Sequence, residues 1–312
     1  MDIKSKIILI SGPTASGKSN FAVKLANKIN GEIINADSMQ VYEQFKILTA
    51  RPSKVDQKKI QHHLFGVANL RSNFSTGHWL KLAIKKIHEI RKKKKVPILV
   101  GGTGLYFNSL VNGLVKIPNI PIKFRNKIRL MQKKNGQKKF YKKLLKIDPK
   151  IKGKINSNDS QRSIRAYEIK SYSKKSMYDW LAQTKPHFKD SEFLKLYISF
   201  DRKKLIEKIE ERTKKMIKSG AIREVKKFRD LKSSKQSSIN KIIGIQELSK
   251  FLEKEIKIDK AKELIVIRTR QYAKRQATWA RSKMTTWIKV DPNDFQSWFK
   301  KNKLPLKLDQ LI

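Results

Sequence analysis

The sequence has no cysteine, and that absence alone removes a disulfide framework and any thiolate metal site. Histidine is scarce as well: five are scattered along the chain, and only His62 and His63 are neighbours. Adjacent residues do not share a helix face, so no metal site is expected there. No run of about 18 apolar residues occurs, so no membrane span is expected. The opening MDIKSKIILI is too short, and too soon followed by a glycine-rich loop, to read as a signal peptide. A cytoplasmic protein is the expectation, and a monomer, since no heptad run indicates a coiled coil. Acidic residues are the other deficit: 26 Asp+Glu against 73 Lys+Arg give a formal charge of +47. That excess is far beyond what solubility needs and points to a polyanionic partner, even where part of it only decorates the surface. Charge alone does not separate RNA from DNA or from an anionic membrane.

At 312 residues the chain holds one large domain or two modest ones. Apolar runs of strand length recur at Ile7–Ser11, Glu32–Ala36, Ile98–Gly101, Leu196–Phe200 and Trp287–Val290. Helical patterns, Asn20–Ile29 and Trp79–Lys95, lie between the first of them. Buried β-branched strands alternating with helices predict an α/β fold, a parallel sheet with helices on both faces. From about Val115 to Lys195 the character changes: Pro118 and Pro121 mark a break, and Lys-rich helical segments follow. We read 118–194 as a helical insertion domain within a core formed by 1–117 and 195–312. Lys133–Lys139 and Lys232–Ser238 read as solvated loops.

Residues 12–19, GPTASGKS, match the phosphate-binding loop G-x-x-x-x-G-K-[S/T] in full. A strand precedes the loop and a helix follows, which is the context the motif needs, so a P-loop NTPase-like core is expected. Gly12, Pro13, Thr14, Ala15, Ser16 and Gly17 form the turn, and the backbone N–H groups from Thr14 to Lys18 are expected to converge on an anion. Lys18 adds a mobile positive charge, and Ser19 a hydroxyl for Mg²⁺. The motif is specific for phosphate and silent on the reaction.

The next strand ends in NADSMQVY, which puts Asp37 at its carboxyl end, where ligands bind in such sheets. Three readings of Asp37 stand side by side: general base, Mg²⁺ contact through water, and helix N-cap. A further strand ends in ILVGGTGLYF, where Gly101 and Gly102 keep the backbone close and Thr103 offers a hydroxyl. No carboxylate closes that strand, which weakens an ATP-hydrolysing reading. In RQYAKRQATWAR, a helical reading puts Arg270, Lys274 and Arg281 within about 40° of one another. Ile265, Tyr272 and Trp279 form a separate stripe, most simply core, and Arg275 lies off the basic side. QRSIRAYE places Arg162 and Arg165 one turn apart, where guanidinium groups suit phosphates and stacked bases.

Taken together, GPTASGKS (12–19), ADSMQVY (36–42), TARPS (49–53), LVGGTGLY (99–106), NDSQRSIRAYE (158–168) and RQYAKRQATWAR (270–281) resemble, in order, the blocks of the tRNA dimethylallyltransferases. The resemblance implies transfer of the dimethylallyl group from dimethylallyl diphosphate to N6 of the adenosine just 3′ of the anticodon in tRNA. It implies that the loop holds a diphosphate that departs, with Mg²⁺, and that tRNA binds through its anticodon stem-loop. It also implies that Asp37 is the base, with Thr103 and Arg212 bracketing the diphosphate. The implied tRNA contacts are Asp37, Ser38, Met39, Gln40, Thr103, Arg125, Gln161, Arg162, Ser163, Ile164, Arg165, Lys274, Arg275, Gln276, Trp279 and Arg281. Two departures stand out. IIGIQE has Ile245 and Gln246 where relatives usually carry Tyr and a basic residue, and Leu48 stands where a Gly is common. Competing readings are alkylation of a free adenine nucleotide, a P-loop kinase acting on a small molecule, and an RNA-binding protein with a dead site.

Overall fold

The computed structural model describes residues 3, 5–69, 74–231 and 238–301. The chain divides into two compact units, Met1–Ser109 with Phe188–Ile312, and Leu110–His187. The division thus falls a few residues ahead of the Pro118–Pro121 break and of Lys195.

In chain order the first unit begins with β1 (Ile7–Ser11), α1 (Lys18–Ile29), β2 (Gly31–Asn35), α2 (Lys54–Lys59) and β3 (His62–His63). It continues with α3 (Thr76–Lys92), β4 (Val96–Gly101) and the start of α4 (Gly104–Asn112). The second unit contains α5 (Ile122–Ile147), α6 (Ser160–Ser173) and α7 (Met177–Ala182). The chain then returns to the first unit for β5 (Phe193–Ile198), α8 (Arg202–Lys218), α9 (Ala221–Asp230), α10 (Ile245–Leu252), α11 (Ile258–Lys283), β6 (Ile288–Val290) and α12 (Phe295–Lys301).

The six strands form one sheet in the order β3-β2-β4-β1-β5-β6, and every neighbouring pair is parallel. The central strands β1 and β4 are buried along their whole length, which is why their sequences read as unbroken apolar runs rather than alternations. On α1, Phe21, Ala22, Leu25, Ala26 and Ile29 make the apolar stripe that packs on the sheet. Phe21 meets Phe295 and Trp298 edge-on at 5.2 and 5.4 Å, so the C-terminal helix α12 shares the same core. A second core gathers Val41, Phe45, Leu48, Val225, Ile245, Leu248 and Ile265 beneath α9, α10 and α11.

Strand β3 was not expected: two residues at a sheet edge leave no period to read. Strand β5 starts at Phe193 and pairs that residue with Ile7. The expected loop Lys133–Lys139 is instead inside α5, broken only at Gly136 (φ 71°, ψ 163°). Lysine is a good helix former, and a run of it reads as solvated whether or not it is helical. Of the other expected loop, residues 232–237 lie outside the described residues.

Two contacts shape the carboxyl edge of the sheet. Ala36 donates to the Val100 carbonyl at 2.8 Å, and its own carbonyl accepts from Thr103 N–H at 3.2 Å. A β-carbon on Gly101 would sit 2.0 Å from that same Ala36 carbonyl oxygen, so the ends of β2 and β4 touch backbone to backbone. On the far side, a β-carbon on Gly244 would sit 2.6 Å from Leu48 Cδ2. The two departures from the family pattern therefore meet: Leu48 packs on Gly244, and the adjoining Ile245 lies in the same core. Gln246 is exposed and accepts from Arg268 at 2.7 Å.

Because backbone faces backbone at Gly101, neither side has a rotamer with which to yield. Gly101→Ala is expected to cost about 3 kcal/mol or more in urea unfolding, above the usual range for overpacking. A loss below about 1 kcal/mol would mean that the two strand ends separate easily.

Candidate active site

The chain leaves β1 at Ser11 and turns through 12–17 into α1, with Gly17 in the left-handed region (φ 89°) as the helix N-cap. The N–H groups of Lys18, Ser19 and Asn20 at the helix start have no carbonyl one turn earlier to bind. Not every expected loop amide is available: Thr14 N–H donates to Gln276 Oε1 at 2.9 Å, and Ser16 N–H to the Pro13 carbonyl at 3.2 Å. Ser16 is buried, and its hydroxyl has no hydrogen-bond partner. An orphaned hydroxyl inside such a turn suits an anion's oxygen.

A cavity of about 660 Å³ opens beside this turn, within the first unit. Thr14, Lys18, Ser19, Asp37, Ser38, Met39, Gln40, Arg212 and Arg275 line it, together with an apolar wall that includes Leu48, Met216, Ile242 and Ile265. Lys18 is half-buried and donates to the Pro13 carbonyl at 3.3 Å. Loss of water pulls its pKa down to about 8; the negative charge of Asp37 opposes that shift and Arg212 adds to it. Arg212 donates to Thr14 Oγ1 at 2.9 Å, and burial lowers its pKa too, again against Asp37. Helix α8 carries it: Leu205, Ile209, Thr213 and Met216 are the buried stripe, and Arg212 sits at its border.

Asp37 follows β2, and no helix begins there, so the N-cap reading fails. Its Oδ1 accepts Met39 N–H at 2.9 Å, while its own N–H donates to Asn35 Oδ1 at 2.8 Å; the Asp37 N–H ends one Asx turn and the carboxylate opens the next. Thr103 Oγ1 accepts Ser38 N–H at 2.9 Å and lies 3.2 Å from Ser38 Oγ. Thr103 is thus behind the wall that Ser38 presents. The Gln40 amide is occupied by the Thr49 and Ala50 carbonyls, which fixes the TARPS segment.

Helix α11 supplies what the sequence did not announce. Gln276, read from the resemblance as a tRNA contact, accepts from Thr14 through Oε1 and donates to the Gly102 carbonyl through Nε2, both at 2.9 Å. Its side chain therefore joins the phosphate turn to the loop after β4. Tyr272, read as core, is half-buried in the cavity wall. Burial, and then the charge of Asp37, raises its phenol pKa well above the usual range. Trp279 packs against Gly104, where a β-carbon would stand 2.3 Å from the indole. Arg275 stacks over the Tyr272 ring at 5.8 Å, while Lys274 and Arg281 are exposed away from the cavity lining. Lys208 lines the rim one turn before Arg212, an i,i+4 spacing that could have been read.

In the second unit, Arg125, Gln161, Arg162, Ile164 and Arg165 are exposed or half-buried. Ser163 is fully buried and bonded to the Asp159 carbonyl (2.7 Å) and Gln137 (3.1 Å), so it is a packing residue rather than a surface contact.

Among the described residues no group of three carboxylate, imidazole or thiolate side chains is placed to cage a metal. A magnesium ion bound with phosphate keeps several waters and needs one or two protein oxygens. Ser19 and Asp37 in the cavity wall fit that modest demand.

A parallel sheet whose central strand runs through a GxxxxGK[S/T] turn into a helix defines a P-loop NTPase-like protein. The profile of the IPP transferase family matches residues 40–283. A tRNA dimethylallyltransferase of Pelagibacter ubique is 69% identical over all 312 residues and the whole of both chains. One from Rickettsia massiliae is 40% identical over 97% of this chain and 84% of its own. The crystal structure of the full-length tRNA isopentenylpyrophosphate transferase of Bacillus halodurans superposes with a TM-score of 0.69, at 29% identity, over 96% of this chain and 95% of that one. A eukaryotic dimethylallyltransferase captured acting on tRNA superposes with a TM-score of 0.81, at 27% identity, over 97% of this chain and 81% of that one. The chain belongs to the IPP transferase family.

Two outcomes follow for inorganic diphosphate titrated calorimetrically. Only the charged ammonium attracts the anion, so affinity relative to Lys18→Arg, which stays charged, is constant below pH about 8. Above it the ratio falls, by at most about tenfold per pH unit. A ratio constant to pH about 10 would leave Lys18 with its ordinary pKa. Gln276→Leu strands Thr14 N–H and the Gly102 carbonyl and is expected to weaken diphosphate about tenfold. Unchanged affinity would detach Gln276 from the loop's geometry.

Proposed function

We propose that this chain is a tRNA dimethylallyltransferase: it transfers the dimethylallyl group of dimethylallyl diphosphate to N6 of the adenosine just 3′ of the anticodon and releases diphosphate. Family membership supports the reaction class. The observation that carries the mechanism is the cavity's charge pattern: among the described residues that line it, Asp37 is the only carboxylate, and its charge acts on both Lys18 and Arg212.

The chemistry needs that pattern. Adenine N6 is a weak nucleophile because its lone pair is shared with the ring. As N6 bonds to the allylic carbon, the C–O bond breaks, its electron pair goes to the diphosphate, and a proton leaves N6. Asp37, its Oδ1 held by Met39 N–H, accepts that proton. Lys18, Arg212 and the amides at the start of α1 stabilise the departing negative charge. Thr14, tied to Arg212 and Gln276, keeps the turn in register with the loop that carries Thr103. The apolar wall suits a prenyl chain, and an acceptor base reaches the carboxylate by leaving its stack in the anticodon stem-loop. Magnesium, held by Ser19 and phosphate oxygens, would neutralise diphosphate charge. The setting is the cytoplasm, and the working unit a monomer.

The test is incubation with labelled dimethylallyl diphosphate and either tRNA or AMP, followed by nucleoside analysis. Label in the tRNA adenosine supports the reading; label in AMP alone would make the protein a free-nucleotide enzyme. Asp37→Ala is expected to slow transfer about 10²–10⁴-fold while tRNA affinity stays within about tenfold. An equal loss of binding and rate would make Asp37 a recognition residue only.

A further inference from the structure

The second unit holds a buried carboxylate that the proposed chemistry does not use. Glu168, on α6, is 1% exposed. A lone ionised carboxylate in such a place is costly unless it is paired. Here it is paired three times over. Arg125 Nε lies 3.2 Å and Arg165 Nη1 3.1 Å from its Oε2, and Arg129 Nε lies 3.8 Å from its Oε1. Arg125 and Arg129 are four residues apart on one face of α5, and Arg165 is one turn before Glu168 on α6.

Three guanidinium groups around one carboxylate leave two positive charges in excess. Each guanidinium carries five N–H donors, and the carboxylate engages only a few of them. All three side chains remain part-exposed, at 31%, 47% and 40% for Arg125, Arg129 and Arg165. Arg129 is the most open, and the Glu168 Oε1 beside it accepts no hydrogen bond. Such a group is oriented from below and has donors to spare above. That is the arrangement that matches phosphate oxygens with planar forks and loses little side-chain entropy on binding.

We propose that Glu168 is a positioning residue that holds Arg125, Arg129 and Arg165 as one platform for the phosphates of an RNA backbone, with Arg129 a contact outside the QRSIR block. The proposal rests on the tRNA reading above.

The sign of one substitution separates it from simpler accounts. Glu168→Gln keeps the shape and adds a net positive charge. If charge alone attracts RNA, the variant binds more tightly. If Glu168 aims the arginines, it binds more weakly. Transfer to tRNA is measured with wild type and variants at several salt concentrations, with thermal unfolding as the fold control. Glu168→Gln is expected to raise the tRNA KM about tenfold while kcat and the donor KM stay within about twofold, and Glu168→Asp to recover part of the loss. Arg129→Ala is expected to flatten the salt dependence of tRNA binding by just under one unit of slope. A folded Glu168→Gln that binds tRNA as well as or better than wild type overturns the proposal. Should that variant unfold, Arg129→Ala decides, and an unchanged slope overturns it. Wild type that labels only AMP would refute the tRNA reading itself, which is a distinct result.

Discussion

Lys18 and Arg212 are held partly out of water around one carboxylate, and most of what is distinctive in the first unit serves that arrangement. Burial lowers the pKa of both cations, and Asp37 alone pulls them back. Without an anion the site is electrostatically uncomfortable, and the diphosphate proposed for it would relieve that. The cations and the apolar wall of the cavity thus support the proposed donor, a polyanion carrying an apolar tail.

Maintaining that tension requires rigid surroundings. The phosphate turn, the Asp37 turn and the loop after β4 come from three strands and would drift independently if joined only by the sheet. Hydrogen bonds close the circuit: Arg212 to Thr14, Thr14 to Gln276, Gln276 to Gly102, and Thr103 to Ser38. Helix α11 therefore acts on the site through the Gln276 amide, while its Tyr272 and Arg275 line the cavity.

The strands β1, β2 and β4, the helices between them and the phosphate turn were legible because burial on both faces writes an unmistakable apolar run. Asp37 was legible as a site residue from its place at a strand end, although its turn could not be told from a helix cap. What escaped reading was set by distant pairing. Tyr272 shares a sevenfold stripe with Ile265, and periodicity cannot tell a core tyrosine from one whose hydroxyl reaches a cavity. The two ends of Gln276 find partners 262 and 174 residues away. Ser163 sits in a motif full of exposed groups yet faces inward, because the block is helical and every third or fourth residue of α6 packs on α5.

The contact between Leu48 and Gly244 has a consequence for exchanging segments between proteins. The isobutyl group fills the space that any larger residue at 244 would claim, and Ile245 joins the same core. A change at any one of the three positions is therefore expected to disturb the packing of the others. A segment transplanted from a cousin with a different residue at 48 would arrive without its counterpart, and the fault would surface as misfolding of the graft, well away from the reacting groups.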